Sequence, residues 1–264
     1  MTSTATVPRW SDLTRRLTEA LPEWVVWKNA DAAFAGSGDV DSAAPRALWG
    51  PTLSEFRTWA GNNQLGPVVV CTHPPHTMFL IAVDRAAGTF WELDVSARKY
   101  FRGSTLFRAE DLPPLSEMDA RGFRRLTLGA EGLILLLGNG IRWGGQPNPA
   151  GLAKRHVAAK LSEDRQGATA AAQAFGLSRR DVEALARALL GGTWDQRAAR
   201  RIERGALVRS IREPSILGAR IRFRAWTKRR CPVLNAVFYR DRQVVHPDAW
   251  LAQVRRSHPV HEDA

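Results

Sequence analysis

The stretch that decides the fold runs from Trp24-Val25-Val26-Trp27-Lys28-Asn29 to Gly36-Ser37-Gly38-Asp39-Val40-Asp41. An apolar run typical of a strand is followed by a short linking segment, a glycine-rich turn and two aspartates one residue apart. If 38–43 is extended, Asp39 and Asp41 lie on the same face of one strand. Two neighbouring carboxylates stay ionised together only when a cation lies between them, and oxygen ligands of this kind suit Mg²⁺ or Mn²⁺. Such ions usually arrive with a phosphate-bearing substrate, so the pair predicts a third carboxylate nearby and a nucleotide.

The third carboxylate is expected in Thr89-Phe90-Trp91-Glu92-Leu93-Asp94-Val95. Alternation places Trp91, Leu93 and Val95 on one face of this strand, and Glu92 and Asp94 on the other. If the strand pairs beside Asp39 and Asp41, Asp94 completes a cluster of three carboxylates. Such a cluster can hold two divalent ions, one on the nucleotide phosphates and one that lowers the pKa of an attacking hydroxyl. The alternative for Asp39 and Asp41 is a turn in which their carboxylates accept hydrogen bonds from backbone N–H groups.

The rest of the chain predicts an α/β (α+β) protein with strands and helices in its N-terminal half and a mainly helical C-terminal half. The hydrophobic periodicity predicts helices over 10–20, 53–60, 152–174, 181–190, 197–212 and 250–256, and strands over 24–27, 39–43, 67–72, 78–83 and 89–95. A short helix or turn is expected over 29–35 and a hairpin turn over 84–88, whereas 220–238 favours no single element. The texture changes near residue 115, so we expect two domains, 1–115 and 116–264.

Composition narrows the class of protein. The chain has 264 residues and ten tryptophans, which is typical of a folded core rather than of disorder. Two distant cysteines, Cys71 and Cys231, match neither a disulfide framework nor a zinc site. No signal peptide is evident and no apolar run is long enough to span a bilayer, so we expect a cytoplasmic protein. The sequence also lacks a P-loop, a dinucleotide-binding fingerprint and a nucleophile elbow.

The positive charge is concentrated at the C-terminal end. Of the net charge of +12, ten units fall within 197–264, where 16 Lys and Arg face 6 Asp and Glu. This region could bind nucleic acid, polyphosphate or an acidic partner by Coulomb attraction. The alternative is a set of solvated arginine faces in an arginine-rich protein.

The two aspartate-bearing strands resemble the polymerase-β-type nucleotidyltransferase superfamily, in particular bacterial nucleotidyltransferase-like proteins with an Arg/Lys-Asn dipeptide after the first strand. The resemblance covers about 20–100 and is carried by Gly36-Ser37-Gly38-Asp39-Val40-Asp41, by Leu93-Asp94-Val95 and by Lys28-Asn29. Lys28-Asn29 stands where the superfamily more often has the Gly-Ser that binds the nucleotide phosphates. The resemblance implies a nucleotidyltransferase-like N-terminal domain with a mixed sheet. It also implies that Asp39, Asp41 and Asp94 bind Mg²⁺ or Mn²⁺ and carry catalysis.

Three further residues are expected to contact the nucleoside triphosphate. Lys28 would act as a point charge, or Ser37 would supply a hydroxyl, and Arg102 would assist from the basic segment 98–104 that follows the Asp94 strand. That segment could instead be a cationic loop that balances the carboxylates. A second basic segment, 121–125, would either reach the nucleotide from the helical half or form a solvated helix face.

These observations predict a magnesium-dependent nucleotidyltransferase that binds ATP or another nucleoside triphosphate and transfers its nucleotidyl group. The acceptor would be a small molecule, a protein or an RNA, and no membrane is implied. One alternative is a non-catalytic module of the same fold that binds nucleic acid or protein through the basic C-terminal region. A weaker alternative is a phosphotransferase or kinase-like enzyme, which shares the metal and the nucleotide but cleaves a different phosphate bond.

Overall fold

The computed structural model describes residues 6–35, 39–72, 76–154 and 156–230. The chain divides into two compact units, one that ends at Gly218 and one that begins at Ala219. In the second unit, the described residues belong to one helix, α10 (Ile216–Arg230), which begins just before the boundary. Among the described residues, no helix combines the length and the apolar character needed to cross a membrane.

The first unit is built from eleven strands and nine α-helices within the described residues. The strands are β1 (Val25–Lys28), β2 (Val40–Ala43), β3 (Val68–Cys71), β4 (Thr77–Asp84), β5 (Thr89–Ser96), β6 (Arg98–Phe101), β7 (Ser104–Arg108), β8 (Ser116–Met118), β9 (Arg124–Leu126), β10 (Ile141–Arg142) and β11 (Gln146–Pro147). The helices are α1 (Thr6–Ala20), α2 (Ala30–Phe34), α3 (Trp49–Asn62), α4 (Leu128–Leu135), α5 (Pro149–Lys154), α6 (Val157–Glu163), α7 (Arg165–Ala174), α8 (Arg179–Leu190) and α9 (Gln196–Arg212).

Seven strands form one mixed sheet in the order β3-β4-β5-β2-β1-β9-β8. β2 pairs with β5, and β1 with β9, in parallel, and the other pairs are antiparallel. The predicted class, α+β with a mixed sheet and a helical C-terminal region, is confirmed at this level. β8 and β9 extend the sheet beyond residue 115, and the division into 1–115 and 116–264 stays a prediction.

Side-chain alternation along β1 divides the apolar core between the two faces of the sheet. Trp24 and Val26 pack with α1 and α3, whereas Val25 and Trp27 pack with α4 and the helices that follow it. The first face is anchored by Trp10 of α1, whose ring lies 5.8 Å from that of Trp59 of α3 and 5.1 Å from that of Trp91 of β5. Helices therefore cover both faces of β1, which explains why its sequence is a continuous apolar run.

Helix α4 packs closely because it carries glycines where other helices cross it. A Cβ atom at Gly129 would overlap the backbone of Asp164 and Ala168. All its residues from Gly129 to Leu135 are buried, as expected for a helix at the centre of a helical layer. The apolar run that begins at residue 129 therefore forms this buried helix, which ends in a π-helical turn, Leu136–Gly140.

The structure differs from the sequence expectations at the segment 98–104, which is a hairpin rather than a loop. β6 and β7 pair antiparallel around a two-residue turn at Arg102 and Gly103, whose φ angles are 54° and 85°. Two consecutive positive φ angles are typical of a hairpin turn of type I′. The second departure is at 121–125, where a helix face was one expectation and the structure has a turn followed by the start of strand β9 (Arg124–Leu126). The helix predicted over 250–256 lies outside the described residues.

Candidate metal centre

Three aspartates converge where β2 runs parallel to β5. The register pairs Asp41 directly with Asp94, and Asp39 immediately precedes β2. Each of the three offers a carboxylate oxygen, and these oxygens lie within 4.8 Å of one another. Asp41 and Asp94 are buried, with 2% and 8% of their surface exposed, and Asp39 is half-buried. The structure thus brings together three carboxylates that come from two separate segments of the chain.

The two buried carboxylates of this cluster, Asp41 and Asp94, have raised pKa values. Burial, followed by repulsion from Asp41, Asp39 and Glu92, raises the pKa of Asp94 to about 8. Burial also raises the pKa of Asp41, against the opposing attraction of Lys28, and raises that of Glu92. Full ionisation of the cluster would therefore place more negative charge here than its surroundings neutralise, which is the electrostatic condition that favours a bound cation.

The donor set fits a hard divalent cation. All three candidate ligands are carboxylates, and no described cysteine or histidine belongs to the group. Asp94 Oδ1 is buried and accepts no hydrogen bond from any residue that the structure describes. Buried acceptors are nearly always satisfied, so this oxygen needs a partner. Asp39, Asp41 and Asp94 could therefore hold a metal ion such as Mg²⁺ or Mn²⁺.

Two lysines stand beside the carboxylates on the ring of Trp27. Lys28 Nζ lies 2.7 Å from Asp41 Oδ2 and 4.9 Å from the centroid of the Trp27 ring. Lys99 Nζ lies 5.2 Å from the same centroid. Burial lowers the pKa of Lys99, against the attraction of Asp41 and Asp94. Lys28 is a predicted site residue, whereas the sequence marks Lys99 only as one member of a basic segment.

Arg102 forms hydrogen bonds with α9 and β10. From the β6–β7 turn, its Nε donates to Glu203 Oε1 at 2.7 Å, and its Nη2 donates to the carbonyl of Ile141 at 3.0 Å. Its guanidinium also stacks on Trp143, 4.4 Å from the ring centroid. These contacts connect the hairpin to α9, and a contact of Arg102 with phosphate stays a prediction. Ser37, the other predicted phosphate ligand, lies outside the described residues.

Asn29 connects the cluster to α4. Its Nδ2 donates to Asp41 Oδ2 at 2.8 Å, and its backbone N–H donates to Glu131 Oε1 at 3.1 Å. Asn29 has a left-handed backbone, with φ of 61°, so the chain turns sharply directly after Lys28. Asparagine tolerates this conformation better than most residues. The carboxylate of Glu131 thus positions the turn that presents both donors to Asp41.

Glu131 belongs to a second charged group, which we call the Arg125 network. It consists of three carboxylates and three cations, namely Asp31, Asp119, Glu131, Arg121, Arg125 and Lys160. Arg121 and Arg125 were expected to reach the nucleotide or to be solvated. They instead pair with these carboxylates, and Arg125 is buried. No sequence motif signals this network, because its members come from three distant stretches of the chain, at residue 31, at 119–131 and at residue 160.

Comparison of the chain with protein-family models, with curated proteins and with solved structures gives no match. The interpretation of the site therefore depends on its own geometry and on the chemistry of its residues.

Proposed function

We propose that this protein is a metal-dependent nucleotidyltransferase, which moves a nucleotidyl group from a nucleoside triphosphate to an acceptor hydroxyl, phosphate or amine. The observation that carries the proposal is the convergence of Asp39, Asp41 and Asp94 within 4.8 Å, two of them buried, on two parallel strands. A buried excess of carboxylate is costly unless a cation joins it. The resemblance of residues 20–100 to the polymerase-β-type superfamily supports the same proposal.

The three aspartates would hold Mg²⁺ or Mn²⁺. When bound, such an ion would stabilise charge on the phosphates and lower the pKa of the acceptor group. Asp94 would have a further role, because a carboxylate that binds the ion through one oxygen keeps its other oxygen free. This oxygen can take the proton that the acceptor loses when its oxygen or nitrogen forms the new bond to the α-phosphorus. The bond between the α-phosphorus and the bridging oxygen breaks, and pyrophosphate leaves with the electron pair.

Lys28 and Lys99 would neutralise the phosphates as charge develops on the leaving pyrophosphate. Both ammonium groups lie against the Trp27 ring beside the carboxylates. Positioned cations of this kind act most strongly in a site with little water. Trp27 itself is buried, with 5% of its surface exposed, and it provides the low-dielectric surface on which both lysines rest.

The experiment uses nucleoside triphosphates labelled at the α- or the γ-phosphate, Mg²⁺ and a cell extract as the source of acceptor. We expect transfer of the α-label with release of pyrophosphate, and a loss of about 10²- to 10³-fold in Asp41→Asn and Asp94→Asn. Asp84→Asn is the matched control, since Asp84 is a buried carboxylate at the other end of the β4–β5 pair. It should keep the activity.

Two other results would overturn the proposal. Transfer of the γ-label with release of nucleoside diphosphate would identify a phosphotransferase. An absence of turnover, with salt-sensitive nucleic-acid binding that both aspartate variants retain, would identify a non-catalytic binding module.

A further inference from the structure

Lys28 and Asn29 bind the same carboxylate oxygen of Asp41, one of the three residues that could hold a metal ion. Lys28 Nζ lies 2.7 Å from Asp41 Oδ2, and Asn29 Nδ2 donates to the same oxygen at 2.8 Å. Together they fill both lone pairs of this oxygen. Asp41 is almost fully buried, whereas the Lys28 side chain is 19% exposed. The lysine therefore neutralises a carboxylate that water cannot reach.

The two donors to Asp41 differ in their freedom to leave. Asn29 is fixed because its backbone N–H is bound to the buried Glu131 carboxylate and its left-handed turn is part of the chain path. Lys28 reaches Asp41 through a flexible four-carbon side chain with a partly exposed end. An incoming cation would therefore displace the ammonium of Lys28 and leave the amide of Asn29 in place.

The ammonium of a displaced Lys28 can stay in contact with the ring of Trp27. Its Nζ already lies 4.9 Å from the centroid of Trp27, and the ring also carries Lys99 Nζ at 5.2 Å. Two ammonium groups on one ring next to three carboxylates form a pair of cations that a polyphosphate can bridge. A small rotation of the side chain would move Lys28 from the carboxylate to the phosphate.

We infer that Lys28 is an exchangeable counter-ion. It neutralises Asp41 when no nucleotide is bound, and it moves to the phosphates when a metal–nucleotide complex enters. This inference rests on the proposed function for the identity of the nucleotide. Its consequence is a positive coupling between the two ligands, because the metal must displace Lys28 and the nucleotide stabilises the displaced lysine. The coupling is reciprocal, so each ligand raises the affinity of the protein for the other.

The test measures Mn²⁺ binding by electron paramagnetic resonance, first without nucleotide. We expect Lys28→Met to bind Mn²⁺ about tenfold more tightly than wild type, a change of about 1.4 kcal/mol. Lys99→Met is the matched control, because it removes the other ammonium on the Trp27 ring. Lys99→Met should tighten Mn²⁺ binding by no more than about threefold, because this variant relieves only the charge repulsion between Lys99 and the ion. Lys28→Gln serves as a second variant of similar length, and circular dichroism checks that each protein is folded.

The second measurement repeats the titration with a non-hydrolysable ATP analogue. The analogue should raise the Mn²⁺ affinity of wild type more than that of Lys28→Met. Equal tightening in Lys28→Met and Lys99→Met, or weaker Mn²⁺ binding in both Lys28 variants, would overturn the inference. The proposed function fails differently, by an absence of nucleotidyl transfer while the Mn²⁺ pattern of the Lys28 variants persists.

Discussion

Asn29 connects two charged clusters that contain three carboxylates each. The two clusters differ in how far cations neutralise those carboxylates. In the Arg125 network, every carboxylate pairs with a cation within 3.4 Å. In the metal centre, Asp94 Oδ1 accepts no hydrogen bond from a described residue. The hydrogen bond from Arg121 holds the pKa of Asp119 well below its usual range, whereas that of Asp94 is raised to about 8.

The comparison shows that the balance of charge, rather than the number of acids, separates a structural cluster from a candidate site. Six groups in the Arg125 network satisfy one another, so the network needs no ligand and serves to connect α2, β9, α4 and α6. The candidate metal centre has carboxylates in excess, and both of its lysines contact the ring of Trp27. We expect this imbalance to lower the stability of the cation-free protein and to favour the binding of a cation.

The largest expected effect is on the Arg125 network. Glu131→Gln leaves the buried Arg125 and the partly exposed Lys160 without the carboxylate that they share. We expect the free energy of unfolding to fall by about 3 kcal/mol, as when one partner of a buried ion pair is removed. Urea denaturation measures this change.

The matched control is Glu183→Gln, which breaks the exposed pair with Arg179 on α8. An exposed pair one helical turn apart contributes only about 0.3–0.5 kcal/mol. Similar losses in the two variants would show that the network is not a stabilising structure, and the contrast with the metal centre would fail.

The metal centre should respond to the loss of a carboxylate in the opposite direction. A raised carboxyl pKa means that the folded protein keeps a proton that the unfolded chain releases. The stability of the metal-free protein should therefore fall as the pH rises from the ordinary Asp value of 3.8 to about 8. Asp94→Asn removes this loss, so with a chelator present it should be more stable than wild type by about 2 kcal/mol at pH 8, and the gap should close towards pH 4.

Adding Mn²⁺ should reverse the order. Wild type and the control Asp84→Asn gain stability from the ion, and Asp94→Asn does not. Thermal unfolding with and without Mn²⁺ measures both parts. A destabilised Asp94→Asn at pH 8 in chelator would show that Asp94 is a satisfied structural residue.

The metal centre was largely predictable from the sequence, because its key relation is local. Asp39 and Asp41 share a face through strand alternation, and the apolar residues around Asp94 fix which way that side chain points. Alternation alone does not show that β2 pairs with β5. The resemblance to a known family suggested that pairing. The mixed sheet came from the same resemblance, because side-chain alternation does not show whether neighbouring strands run parallel or antiparallel.

The Arg125 network and Lys99 were not predictable, because they depend on contacts between distant segments. Nothing in the local sequence of Arg121 or Arg125 indicates that Asp31 lies about 90 residues away in a facing helix. The turn at Arg102 was missed since arginine is unusual at a positive φ, and turn signals are read from glycine and asparagine. Glu131 was hidden in an apolar run, although a lone carboxylate in such a run is a signal that a buried partner exists.

The smallest expected effect is at Asn29, which connects the two clusters. Asn29→Gly keeps the left-handed turn but removes the hydrogen bond to Asp41, and Asn29→Ala removes the same bond and adds backbone strain. Because this bond orients a carboxylate of the candidate metal centre, both variants should bind Mn²⁺ about tenfold more weakly. Only Asn29→Ala should also lose about 1 kcal/mol of stability.

Asn29 and Lys28 donate to the same oxygen of Asp41, yet their substitutions should change Mn²⁺ affinity in opposite directions. The neutral amide orients the carboxylate without repelling the ion, whereas the ammonium competes with the ion for the oxygen. Weaker binding in both Asn29 variants, combined with tighter binding in Lys28→Met, would separate orientation from charge at a single atom. Tighter binding in Asn29→Gly would instead mean that both donors compete with the ion for Asp41 Oδ2. Asn29 would then not be a fixed donor, and its proposed difference from Lys28 would be wrong.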